Sequence, residues 1–138
     1  MKERNIKVIF DTNVWISFLI GKRLSFIKKF IADGQFTIIV TDQLIEEIKT
    51  VTGRERLKKY FPKESVTDLI NLLQVIAENV SIEPVHFINR DPKDNFLLDL
   101  IDFSKADYLV TGDKDLLLHN PFKTAAILTP AAFEEIFN

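Results

Sequence analysis

Asp11 closes a short apolar run, Lys7 to Phe10, and Asp113 follows another, Tyr108 to Thr111. An Asp at a strand-to-helix junction has a structural use, since its carboxylate caps the helix. A Gly-Asp turn, as at Gly112-Asp113, needs no function either. Two strand ends that both present acids are harder to assign to capping alone. Two further acids are picked out by helical phase. Between Asp42 and Thr52 the apolar Leu44, Ile45, Ile48 and Val51 form one stripe. At about 100° per residue, Glu47 falls on the edge of that stripe and Glu46 on the far side. After Pro92, Asp94 is in register with Leu97, Leu98 and Ile101. Asp99 and Asp102 are rotated from it by about 140° and 80°. An acid in a first helical turn is favoured by the helix dipole, but the inward phase of Asp94 is not explained by that.

Asp11, Glu47, Asp94 and Asp113, with Asp115 as a candidate fifth, can therefore converge on one crevice. Carboxylates so gathered repel one another, and some must take up protons unless a cation joins them. The composition narrows which cation. There are 20 Asp and Glu, two His and no Cys, so thiol nucleophiles, Cys-rich zinc sites and disulfides are excluded. Hard oxygen ligands favour Mg²⁺ or Mn²⁺. Such ions lower the pKa of bound water and clamp the oxygens of a phosphodiester, so phosphoryl hydrolysis is the chemistry best permitted.

The elements that must position these acids follow from patterning. The 138 residues, 46% hydrophobic and 28% charged, are enough for one domain with its own core, read here as residues 1–138. Five β-type runs are expected: Lys7 to Phe10, Phe36 to Thr41, Val80 to Glu83, Tyr108 to Thr111 and Ala126 to Leu128. Helices are expected at Val14 to Ile20 continuing through Leu24 to Ala32, at Asp42 to Thr52, at Lys63 to Glu78, from the Asp91-Pro92 start, and from Pro130. Alternating strands and helices argue for an α/β domain with a mainly parallel sheet. Its ligand crevice is then expected beyond the carboxyl ends of the strands.

Net charge is −2, but its distribution is uneven: residues 1–69 carry 13 Lys and Arg against 9 Asp and Glu. Lys49, Arg54, Arg56, Lys58, Lys59 and Lys63 are opposed in their stretch only by Glu55, the pattern of a phosphate-tracking surface or of a solvated face. The apolar run before Asp11 is too short for a signal peptide or a membrane span, so a cytoplasmic protein is expected. His86 and His119 are read as structural, Phe61 as packing rather than base stacking, and Phe10, Phe18, Phe96 and Phe103 as core.

IFDTNVWIS at 9–17, TDQLIEEI at 41–48, RDPKDNFLLDL at 90–100 and YLVTGDKDLL at 108–117 together resemble the four motifs of the PIN-domain ribonucleases. They are most similar to the VapC-like branch, the toxins of toxin–antitoxin systems, as is the closing ILTPAAFEEIF. The resemblance implies a three-layer α/β/α sandwich with a central, mainly parallel five-stranded sheet. It implies Mg²⁺- or Mn²⁺-dependent endonucleolytic cleavage of RNA, with a cognate antitoxin and a homodimer or higher homo-oligomer as expected partners. The family's acidic positions fall on Asp11, Glu47, Asp94 and Asp113. Asn13 matches a residue that orients the first acid or a metal-bound water, Thr111 a hydroxyl beside the last acid, and Asp115 a second acid that assists the metal. Arg54, Arg56, Lys58 and Lys59 are the expected RNA contacts. Two residues depart from the pattern: Trp15 where a smaller residue is usual, and Lys93 where a further acid is common.

Other classes remain open at this stage. A haloacid-dehalogenase-type phosphatase would need a second Asp two residues after the first, where this chain has Asn13. A receiver-type domain would give no reason for an inward Glu47 or for the basic stretch. A non-catalytic RNA- or protein-binding module would be expected to have lost an acid.

Overall fold

A computed structural model describes residues 5–21, 32 and 34–137. In it, β1 (Ile6–Phe10) leads into α1 (Thr12–Ile20), and β2 (Phe36–Val40) into α2 (Asp42–Thr52). A 3-10 turn at Lys58–Tyr60 precedes α3 (Lys63–Ile76) and the two-residue β3 (Glu78–Asn79). A second 3-10 turn, Pro92–Asp94, opens α4 (Asn95–Ser104). Then come β4 (Tyr108–Val110), α5 (Lys114–Leu117), β5 (Ala126–Leu128) and α6 (Pro130–Phe137). The expected helix over 24–32 lies outside the described residues, apart from Ala32.

The five strands form one sheet in the order β3-β2-β1-β4-β5, with every pair parallel. From β1 at the centre the chain first builds outward through β2 and β3, then crosses to β4 and β5. The order therefore reverses between β1 and β4, and a crevice opens at the carboxyl ends of those two strands. Strands buried on both faces need apolar residues at successive positions, and Val8, Ile9 and Phe10 are all buried. On one face Phe10 packs edge-to-face on Trp15, Phe18 and Phe133, while Phe36 and Tyr108 meet Phe133 and Phe137. On the other, Ile9, Ile39 and Leu109 are fully covered. The fold is the α/β sandwich anticipated above, with helices on both sides of the sheet. Among the described residues no helix is long and apolar enough to cross a membrane.

The third strand differs from expectation. Pairing occurs at Glu78 and Asn79 rather than across Val80 to Glu83, and α3 stops at Ile76. The Val80 amide still donates to the Val40 carbonyl at 2.8 Å. Beyond that point β2 has given way to α2, so among the described residues there is no neighbouring strand for residues after Val80 to pair with. α4 is buried almost throughout, Asp99 included, and Phe103, expected in the core, is 44% exposed on its outer side. Asp99 is indeed turned away from Asp94, but inward: it accepts the amides of Val85 and His86 and so holds the segment between β3 and α4 against α4.

Candidate active site

Asp11 sits where β1 ends, its amide donating to Val110 of β4 at 3.1 Å. The side chain caps α1, with Oδ1 accepting the Val14 amide at 2.9 Å. Its other oxygen, Oδ2, accepts a hydrogen bond from the Thr111 hydroxyl. Capping and site formation are thus the same placement: the strand end fixes the backbone, and the cap fixes the carboxylate. Only 5% of Asp11 is exposed, and burial pushes its pKa up. The Thr111 hydroxyl and the Val14 amide pull it back, and the charge of Asp113 adds to the rise.

Thr111 is fully buried and links two acids, since its Oγ1 also accepts the Asp113 amide at 3.0 Å. Asp113 caps α5 by accepting the Asp115 amide at 2.9 Å. From the opposite wall, Glu47 of α2 is half-buried while Glu46 is exposed, as helical phase requires. Burial raises the Glu47 pKa, partly offset by the Thr12 hydroxyl and by Lys93 and Arg54. Asp94 ends the 3-10 turn before α4. Burial first, then the charges of Asp113, Asp91 and Glu47 and a hydrogen bond with Asp113, push its pKa up to about 7.

These groups line one open cleft of about 210 Å³ bounded by Asp11, Thr12, Asn13, Glu47, Val51, Arg54, Asp91, Lys93, Asp94, Leu97, Asp113 and Leu116. Four of the expected acids and Asn13 are therefore brought together, with Thr111 directly behind Asp11. Asp115 is not part of the lining; its contribution is the amide that fixes Asp113. Of the four basic residues expected to contact RNA, Arg54 alone lines the cleft. Lys58 pairs with Glu55 at 3.0 Å, Lys59 lies over the Tyr60 ring, and Arg56 is exposed outside the cleft.

Two lining residues were read too narrowly from sequence. Asp91 caps the turn by accepting the Lys93 amide, as expected, but it also faces the cleft and raises Asp94. Its spacing three residues before Asp94, within one turn, was the available signal. Lys93 is not simply a missing acid: it lines the cleft 3.7 Å from Asp91 and its charge favours ionised Glu47. The two histidines are structural, with His86 Nε2 at 2.9 Å from Asp102 and His119 Nε2 at 3.0 Å from Asn89. Phe61 is buried and cannot offer a face to a base.

The donor set is made of oxygen ligands whose carboxyl pKa values, at Asp11, Glu47 and Asp94, are raised by burial and by one another's charge, and it fits a divalent cation. Among the described residues, no three Asp, Glu or His side chains are already drawn together in a ligating group.

The chain belongs to the PIN domain family, whose family model matches residues 7–115. That span holds every acid of the cleft, and PIN domains are in general nucleases, hydrolases of phosphodiester bonds. A relative in Methanocaldococcus jannaschii, the uncharacterized protein MJ1680, is 32% identical over 126 residues, covering 85% of this chain and 77% of its own length.

Proposed function

We propose that this protein is a metal-dependent endoribonuclease, a single PIN domain over residues 1–138 acting as the toxin of a toxin–antitoxin pair in the cytoplasm. The observation that carries the nuclease reading is the cleft at the β1/β4 crossover, where Asp11, Glu47, Asp94 and Asp113 face one another. Mg²⁺ or Mn²⁺ would be held by Asp11, Asp94 and Asp113, with Glu47 completing the site. When bound, such an ion supplies charge neutralisation at the phosphate and a water acidic enough to attack it.

The chain's own residues do the rest. Thr111 and the Val14 amide hold Asp11 in one orientation. Asn13, exposed at the start of α1, lies where it can orient a nucleophile or Asp11 itself. Arg54 and Lys93 line the same cleft as the acids and would engage the phosphates on either side of the scissile bond. Arg56, Lys58 and Lys59, farther out, would track the backbone by charge alone. An RNA substrate, a cognate antitoxin and a second copy of the chain are the partners this reading entails.

The test is cleavage of a mixed RNA pool with Mg²⁺ or Mn²⁺ by the wild type and by Asp11→Asn. Metal-dependent cleavage confined to the wild type is the expected result. Equal cleavage by both, or none by the wild type with either ion, would remove the proposal. The toxin assignment is tested separately, by growth arrest on expression and its relief by the product of an adjacent small gene.

A further inference from the structure

Asp11 and Asp113 follow strands that pair with each other, but the segment that carries Asp91 and Asp94 has no strand pairing to either. Asp91 and Asp94 come from the segment entering α4, and Asp113 from the start of α5. What joins the two segments behind the cleft is Asn89. It is 5% exposed, and its backbone amide and both polar atoms of its side chain are engaged. Its amide donates to Asn95 Oδ1 at 2.9 Å, at the first residue of α4. Its Nδ2 donates to the Asp91 carbonyl at 2.9 Å, and its Oδ1 is 3.0 Å from His119 Nε2. The Asp91 carbonyl can only accept, so the side-chain amide has one orientation, with Oδ1 toward the histidine. His119 must then carry its proton on Nε2 and donate. His119 follows α5, and its own amide donates to the Leu116 carbonyl at 3.0 Å.

We infer that Asn89 and His119 are positioning residues, a cross-brace that sets the separation of Asp94 from Asp113. The inference deepens the metal-dependent reading above and rests on it. Asn95 and Asp91 flank Asp94 on both sides, so the bonds of Asn89 fix the turn that carries it. His119 carries that constraint to the helix capped by Asp113. Neither residue lines the cleft, and both act only through the acids. The geometry is specific: a donor is needed at the position of His119 Nε2, and an amide at Asn89.

The experiment is Mn²⁺ titration followed by calorimetry, alongside single-turnover RNA cleavage, on the wild type, Asn89→Ala, His119→Ala, His119→Gln and the Asn89→Ala/His119→Ala pair. Loss of groups that orient metal ligands commonly weakens binding by about 10- to 100-fold. A loss of that size is expected for Asn89→Ala and His119→Ala, with the cleavage rate reduced and the RNA KM little changed. The double variant should be no worse than the weaker single one, because the two act as a unit. Glutamine places an amide donor close to the imidazole Nε2 position, so His119→Gln should retain near wild-type Mn²⁺ affinity. His119 is only half-buried, so its variants keep the test alive if Asn89→Ala fails to fold. Unchanged Mn²⁺ affinity in His119→Ala, or equal loss in His119→Gln and His119→Ala, would overturn the brace while leaving the nuclease reading intact. A wild type that binds no Mn²⁺ would overturn both.

Discussion

Replacing Asp94 by Asn is expected to make the metal-free protein more stable at pH 8 while abolishing the proposed cleavage. In the native cleft the Asp94 pKa stands at about 7, against an ordinary 3.8. Between those values the folded chain holds a proton that the unfolded chain has released. Stability contributed by the wild-type residue therefore falls as pH rises through that window, and the penalty is complete above about pH 7. Three pKa units at about 1.4 kcal/mol each give a ceiling of about 4 kcal/mol. Asp94 is only half-buried, and solvent screening brings the expected effect to about 1–2 kcal/mol. Asparagine has nearly the shape of the protonated acid and can donate to Asp113 in its place. The assay is urea unfolding in the presence of a chelator from pH 8 down to pH 4. Asp94→Asn should gain most at pH 8, and the gain should shrink toward zero near pH 4. Millimolar Mn²⁺ should reverse the order by stabilising the wild type more. A variant less stable than wild type at pH 8, or a gain independent of pH, would refute the reasoning.

Thr111→Val keeps the shape but removes the hydroxyl that serves both Asp11 and Asp113; urea unfolding at pH 7 should show a loss of about 1–3 kcal/mol, the cost of buried polar groups left without a partner. Arg54→Glu should weaken RNA binding and lower the slope of log K against log salt by about one phosphate contact's worth, more than Lys58→Glu does, because Arg54 lines the cleft and Lys58 does not; equal effects in a filter-binding salt series would return the basic stretch to a solvated face. Lys105 closes α4 at φ 59° in the left-handed region, where a side chain is disfavoured by about 1–2 kcal/mol. Lys105→Gly should raise stability by about 0.5–1 kcal/mol after its greater unfolded-state freedom and the lost Lys105–Asp102 surface pair are counted, a change visible in thermal unfolding.

Much of this architecture was legible because its signals are local. Short apolar runs rich in β-branched and aromatic residues mark β1, β2, β4 and β5 to within a residue or so, and the bounds of α2 match the expectation, with Gly53 at its end. Placing Glu47 and Asp94 needed only helical phase and the rule that an α/β sheet binds beyond its strand ends. β3 failed because Val80 to Glu83 has strand-like residues but no strand beside it, a fact held in β2 rather than in the segment itself. Which residues of the basic stretch reach the cleft was not legible for a related reason: α2 ends at Thr52, so its periodicity does not extend to Arg54, Arg56, Lys58 and Lys59. Asn89 and His119 carried no signal at all. They lie 30 residues apart, and a polar contact between loops leaves no pattern in either.

The contact between Asp11 and Thr111 spans 100 residues of chain, and β1, first in the sequence, finds its β4 neighbour only after two thirds of the chain has intervened. During synthesis, the earliest acid of the cleft therefore emerges long before the strand that orients it. Parallel pairings of this separation form late, since the loop between them must close first. A nascent chain, surrounded by ribosomal and messenger RNA, has the first acid but not the site. Cutting power of the kind proposed would be acquired only after β4 and Asp113 have emerged and found β1, by topology alone.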